Sequence, residues 1–135
     1  MKMETPTRMQ LKKWEILLLG KNRHRENLFL AEGAKIVDEL LKSSWPIDCL
    51  LVMEEKAEQW IPSLSGRTRQ RPVYSLTAKQ WHKLSQDKSP EGIMAVVSAR
   101  PTENLAEILS MYTGNILLLD RINNPNNLGA LLRTA

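Results

Sequence analysis

The sequence predicts an α/β protein: a first domain over residues 1–100, with helices on both faces of a largely parallel sheet, followed by the start of a second α/β unit. Three observations carry that expectation. Apolar runs of strand length at 28–31, 47–52, 73–76 and 93–99 alternate with segments of helical period, the pattern of layered α/β domains. A further run at 116–119, Ile-Leu-Leu-Leu, is apolar without alternation, as a strand buried on both faces requires. With 42% hydrophobic and 25% charged residues over 135 positions, the chain has material for one full core and the beginning of another.

In chain order, residues 9–19 form a first helix, with Gly20 as its left-handed stop. A basic cluster follows at the helix exit, Lys21, Asn22, Arg23, His24 and Arg25. The strand at 28–31 turns at Glu32-Gly33 into a helix over 34–42, whose Ile36, Val37, Leu40 and Leu41 share one face. Pro46 opens the strand at 47–52, and a short helix covers 54–60. Residues 62–72 read as a Ser/Gly-rich loop carrying Arg67, Arg69 and Arg71 at alternate positions, where they could grip a backbone phosphate or simply be solvated. Thr77 caps a helix over 78–85, and Ser89-Pro90-Glu91-Gly92 turns into the strand at 93–99. Trp14, Trp45, Trp60 and Trp81 all stand in or beside apolar faces and are expected to pack in the core. Residues 101–114 comprise a polar linker and a helix over 105–112, and a second unit begins at 115.

Charge is unevenly placed. The formal net charge is +4, but residues 1–25 hold seven Lys/Arg against Glu4 and Glu15, leaving the remainder near neutral. A localised basic patch of this kind points to a polyanion. Cys49 is the single cysteine, which excludes an internal disulfide and makes a reducing compartment the default. It lies in an apolar run and is expected to be an inert core thiol. No run is long enough to span a membrane, no secretory signal stands at the start, and no metal-ligand spacing occurs. A cytoplasmic protein is expected if the source is bacterial, and an organellar location stays open for a eukaryotic one.

The stretch 116–135, ILLLDRINNPNNLGALLRTA, carries the most chemical information. After the apolar run, Asn123, Asn124, Pro125, Asn126 and Asn127 suit a tight polar turn, because Asn bonds its own main chain and Pro fixes φ. Asn127 is expected to cap the helix that follows, with Leu128, Leu131 and Leu132 on its apolar face. Strand, tight loop and helix N-terminus together place ligand sites at the carboxyl ends of open α/β sheets. Arg133 lies four residues after Gly129 and three after Ala130, so its side chain should lean back over two near-absent neighbours toward the asparagine loop. A fixed guanidinium there suits a phosphate or ribose oxygen, and a solvated Arg on an ordinary loop is the alternative.

NNPNNLGALLRTA resembles the first motif of the SpoU/TrmH family of RNA ribose methyltransferases, Asn-Pro-x-Asn-x-Gly-x-x-x-Arg. Asn124, Pro125, Asn127, Gly129 and Arg133 fill every specified position. KNRHR followed by LFLAEG and a helix resembles the substrate-binding domain that precedes the catalytic domain in many of these enzymes. That domain shows a Lys/Arg-x-Arg segment and then Phe-x-x-Glu-Gly, matched by Arg23, Arg25, Phe29, Glu32 and Gly33, and SPEGIMAVV resembles its closing signature. The resemblance implies an α/β/α sandwich like certain RNA-binding ribosomal proteins over 1–100, and a truncated SPOUT (trefoil-knot) domain starting at 115–135. It implies S-adenosylmethionine as methyl donor of the full-length enzyme, rRNA or tRNA as partner, and a homodimer. Asn127 and Arg133 become catalytic candidates, and Lys21, Arg23, Arg25, Arg67, Arg69 and Arg71 RNA-binding candidates, with no cofactor-binding residue in this stretch. The chain stops about two turns into a helix, so it is expected to be the front part of a longer protein and inactive alone.

Two rival readings remain open. A first domain acting alone would be a non-catalytic RNA-binding module. A phosphate- or nucleotide-binding α/β enzyme is disfavoured because neither GxGxxG nor GxxxxGK[ST] occurs.

Overall fold

A computed structural model describes residues 2–67, 71–101 and 104–134. The chain divides into two compact units, Met1–Arg100 and Pro101–Ala135.

The first unit runs α1 (Arg8–Glu15), a 3-10 turn (Ile16–Leu18), α2 (Gly20–Glu26), β1 (Leu28–Glu32), α3 (Ala34–Lys42), β2 (Ile47–Met53), a second 3-10 turn (Glu54–Lys56), α4 (Ala57–Leu64), β3 (Val73–Leu76), α5 (Ala78–Trp81) and β4 (Ile93–Ser98). Local chemistry explains most boundaries. Thr7 and Thr77 each start a helix through a reciprocal capping box with Gln10 and Gln80, satisfying two N–H groups that the helix itself leaves open. Asn27 ends α2 in the left-handed region (φ 53°), which Asn tolerates at least cost after Gly.

The sheet order is β1-β4-β2-β3. The expected largely parallel sheet is corrected here: β2 and β3 are parallel, but β4 runs antiparallel to both neighbours, β1 and β2. The reason lies in residues 77–92. A parallel crossover needs a helix long enough to carry the chain back along the sheet, and α5 is a single turn of four residues. The chain therefore stays at the end where β2 and β3 finish. It re-enters there, with Met53 N–H donating to the Gly92 carbonyl at 2.9 Å and Val52 facing Ile93.

Helices cover both faces. One core layer holds Trp14, Leu17, Leu28, Leu51, Leu76, Trp81, Leu84 and Met94, the other Val37, Leu50, Val52, Leu64, Val73, Ile93 and Val97. A register shift between Ile47 and Cys49 puts Ile47 and Leu50 in the same layer, a bulge that leaves Asp48 exposed. All four tryptophans pack as expected, Trp14 and Trp81 inside one layer and Trp45 and Trp60 against the other. Cys49 is buried, and removal from water pushes its thiol pKa up to about 12, which keeps it protonated and unreactive.

Three local expectations are corrected. Gly20 is not a left-handed stop: it is the first residue of α2, and the turn is made by extended Leu19 (φ −93°, ψ 127°). The basic cluster therefore forms a helix of its own and not the exit of the first. α4 runs through Pro62 to Leu64, so the loop begins later than residue 62; Pro62 is exposed and removes a single ladder bond there.

In the second unit, α6 (Leu105–Met111) is capped by Asn104, and α7 (Pro125–Thr134) follows the asparagine turn. The strand expected at 116–119 is absent. Residues 115–124 have no regular hydrogen bonding, and Leu117 and Leu118 are exposed. An extended apolar run becomes a strand only when a neighbour completes its ladder, and none does so among the described residues.

Candidate functional site

The asparagine turn and α7 form the first candidate site. Pro125 occupies the first helical position, where its missing N–H costs nothing and its fixed φ is already helical. The cap is consequently Asn124 and not Asn127: Asn124 Oδ1 accepts from the N–H of Asn126 at 2.8 Å and of Asn127 at 3.4 Å. Its carbonyl accepts from Leu128 N–H at 3.1 Å. Asn127 is thus spared from capping, and its side chain is exposed beside a concavity it shares with Ile122, Ala130, Leu131 and Thr134. Arg133 lies as the spacing predicts. Its Nη1 would stand 3.4 Å from a Cβ built on Gly129, so the guanidinium lies back along the glycine toward the start of the helix. Six positions apart at about 100° per residue, Asn127 and Arg133 occupy adjacent stripes, about 120° apart around the axis.

The candidate RNA-contact residues are placed less uniformly. Lys21 is exposed on α2. Arg23 has a structural duty: its Nη1 donates to the carbonyls of Leu17 and Leu18, both at 3.0 Å, closing the 3-10 turn. Arg25 pairs with Glu26 at 3.0 Å. Arg67 pairs with Asp38 at 2.7 Å, and Lys42 meets the same carboxylate at 2.6 Å. Hydrogen bonds from Lys42 and Arg67 hold the Asp38 carboxyl below its ordinary value, and Asp38 raises Lys42. Arg71 is half-buried, and its Nη1 has no hydrogen-bond partner among the described residues. Arg69 lies outside the described residues.

The fold adds cations that the linear sequence did not connect. Lys83 approaches Glu15 at 3.4 Å, which sets the turn after α5 beside α1. Arg8, Lys12 and Lys13 of α1, Lys21, Arg23 and Arg25 of α2, and Lys79 and Lys83 around α5 therefore belong to one layer, all exposed. Glu15 and Glu26 are the acids of those helices, and each is already paired. The opposite layer differs: α3, the second 3-10 turn and α4 carry Asp38, Glu39, Glu54, Glu55 and Glu58 against Lys35, Lys42 and Lys56. One face of the sandwich is strongly positive and the other slightly negative.

At the sheet end where β2 finishes, the Ser89–Gly92 turn is held by α3, the second 3-10 turn and α4. Glu91 Oε2 accepts from Ala34 N–H at 2.6 Å, Trp60 Nε1 donates to the Glu91 carbonyl at 3.0 Å, and Lys56 Nζ donates to the Pro90 carbonyl. Gly92 has φ 81°, and a Cβ there would meet Lys56 Cδ at 2.7 Å, so glycine is required. Among the described residues no group of His, Cys, Asp or Glu could hold a metal, and no helix is long and apolar enough to cross a membrane.

A family profile describing an MRM3-like substrate-binding domain matches residues 8–95, from the start of α1 into the first half of β4. The chain belongs to this family. Its SpoU/TrmH relatives extend the likeness beyond that domain. Over 132 residues, 98% of the chain, it is 33% identical to the 23S rRNA (guanosine(2553)-2′-O)-methyltransferase RlmP of Bacillus subtilis. Over 133 residues it is 24% identical to a 23S rRNA (uridine(2479)-2′-O)-methyltransferase of Streptomyces viridochromogenes. The chain spans about half the length of these relatives, 49% and 46%. Among solved structures, the SpoU methyltransferase AviRb from Streptomyces viridochromogenes, in complex with AdoMet, matches 95% of this chain and 49% of its own at TM-score 0.74 and 24% identity. An AdoMet-bound rRNA methyltransferase from Sinorhizobium meliloti matches 75% of this chain and 38% of its own at TM-score 0.57 and 24% identity. At that identity the solved structures speak for the fold alone.

Proposed function

We propose that this chain is the front part of an S-adenosylmethionine-dependent RNA ribose 2′-O-methyltransferase acting on rRNA or tRNA in the cytoplasm, with residues 1–100 binding RNA and 115–135 opening a SPOUT catalytic domain. One observation carries the reading: the 33%-identical relative aligns over 98% of the chain, so the likeness runs past the substrate-binding domain into the Asn-Pro-x-Asn-x-Gly-x-x-x-Arg motif. The positive α1–α2–α5 layer supports an RNA partner, since phosphate neutralisation dominates such binding.

In this reading S-adenosylmethionine supplies an electrophilic methyl group on sulfur, and it is held by parts of the full-length homodimer outside residues 1–135. The concavity at α7 is mostly apolar and does not suit the cofactor by itself. The residues present act on the other reactant. A ribose hydroxyl is a poor nucleophile and must be held in line with the methyl group. Arg133 presents a planar fork to the hydroxyl or its adjacent phosphate, and it works by position and charge because guanidinium does not give up its proton near neutrality. Asn127, relieved of capping by Asn124, has its amide available for the ribose.

The test is a methyl-transfer assay on the full-length protein. Arg133→Ala is expected to lower turnover by about 100-fold or more, the scale for removing one positioned donor, with cofactor binding by calorimetry unchanged. Arg133→Lys should recover little. Near-normal turnover in the Ala variant would overturn the site, and tight cofactor binding by residues 1–135 alone would overturn the division of labour. The self-contained core of the first unit favours a second reading, a non-catalytic RNA-binding module, which the same assay on the full-length wild type separates.

A further inference from the structure

We infer that the cleft between the 3-10 turn after α1 and the turn after α5 receives an unpaired base of the bound RNA, with guanine preferred. This rests on the RNA reading above. The cleft has a volume of about 430 Å³, within the range of small-ligand sites, and Leu17, Leu30, Leu84 and Met94 give it apolar walls suited to a planar ring. Its lining comes from the 3-10 turn, α2, β1, β4 and the turn after α5, so it borders the positive layer, whose exposed Lys12, Lys13, Lys21 and Lys83 offer charges to a strand's phosphates.

Three polar side chains line it: Arg23, Glu32 and Gln86. Two hydrogen bonds to main-chain carbonyls lock the Arg23 guanidinium, leaving a fixed plane of the kind on which bases stack. Glu32 is the informative one. A carboxylate repels phosphate, so its place within a positive layer is unsuited to the RNA backbone but suited to N–H groups on a base edge. Its Oε1 accepts from Ser85 Oγ at 2.5 Å, which fixes the carboxylate, while Oε2 has no partner among the described residues. Guanine presents two adjacent donors, N1–H and the N2 amino group, to such a group; uracil flanks its single donor with two acceptors, and adenine offers only its amino group. Single-strand RNA recognition commonly combines stacking with reading of such edges.

The experiment measures binding of single-stranded RNA octamers by fluorescence anisotropy, using the whole 135-residue chain. The octamers are oligouridine, and oligouridine with one central guanosine, inosine or adenosine, each at two salt concentrations. Wild type is expected to prefer guanosine about tenfold over uridine and adenosine, the scale of one good bidentate contact, with inosine intermediate. Glu32→Gln keeps an acceptor for Ser85 and should abolish the preference while leaving the salt dependence unchanged. Gln86→Trp, at an exposed position, should close the mouth and remove the preference without moving the melting temperature. Lys12→Gln with Lys13→Gln should weaken all four octamers equally and flatten the salt slope. Salt-dependent binding without base preference, or a uniform loss in Glu32→Gln, overturns the base pocket and leaves the RNA reading standing. Absence of binding to any RNA, including structured rRNA, overturns both.

Discussion

Leu50-Leu51-Val52 and Leu117-Leu118-Leu119 are nearly the same sequence with opposite fates. The first triplet lies in β2, fully buried, with β4 on one side and β3 on the other. Of the second, Leu117 and Leu118 are 55% and 84% exposed and the backbone is unpaired. Among the described residues, twelve of the fifteen exposed large hydrophobic residues fall in the second unit and three in the first. Apolar content is therefore necessary for a buried strand but does not make one. A central strand exists because neighbours on both edges take its N–H and C=O groups, and helices cover its faces.

The contrast can be broken or sharpened by experiment. The largest effect is expected from Trp81→Ala, which empties a fully buried site in the first unit and should cost about 3–5 kcal/mol in urea unfolding, enough to unfold a marginal domain. Leu118→Ala should change stability by no more than about 0.5 kcal/mol, because nothing packs there to be lost. Equal effects would erase the distinction between the units. Gly92→Ala comes next, at about 1–3 kcal/mol, from its positive φ and the Lys56 contact. Amide exchange should show slow opening through β2 and β4 and fast exchange over 116–133; strong protection of the latter in dilute monomer would break the comparison. Cys49, with its thiol pushed up to about 12, should react with a thiol reagent at pH 8 only at the rate of unfolding. The smallest effect concerns Asp38. Its lowered pKa means the Lys42–Arg67 cluster contributes at and above the ordinary carboxylate pKa, and that contribution is lost as pH falls through the folded value. Asp38→Asn should thus lower the melting temperature slightly at pH 7 and not at pH 2, the effect being small because solvent screens this partly exposed cluster.

The sequence exposed much of this because local chemistry is local. Four apolar runs became four strands, and the Thr77 cap and the Glu32-Gly33 turn were each readable from one or two residues. Topology was not, since the direction of β4 depends on α5 being one turn long, and capping signals mark where a helix starts better than how far it runs. Likewise Gly20 looked like a stop, but glycine permits the left-handed region without requiring it. At the candidate site, the Arg133–Gly129 stacking followed from four-residue spacing. The cap did not, because two asparagines competed for it and the proline between them decided for Asn124. The positive layer was half visible: Lys83 reaches α1 only through a fold that joins distant segments.

The last strand of the first unit in sequence is a middle strand of its sheet. Leu28 of β1 pairs with Ser98, and among the described residues β1 pairs with no strand but β4. As the polypeptide leaves the ribosome, β1 therefore emerges long before anything can close beside it, and β2 shows an open edge until β4 arrives. Folding of this unit is set to wait for its final strand and then finish in one step, a high-contact-order route with exposed edges in the interim. The MRM3-like domain is thus complete as a shape only once every residue from β1 through β4 has left the ribosome.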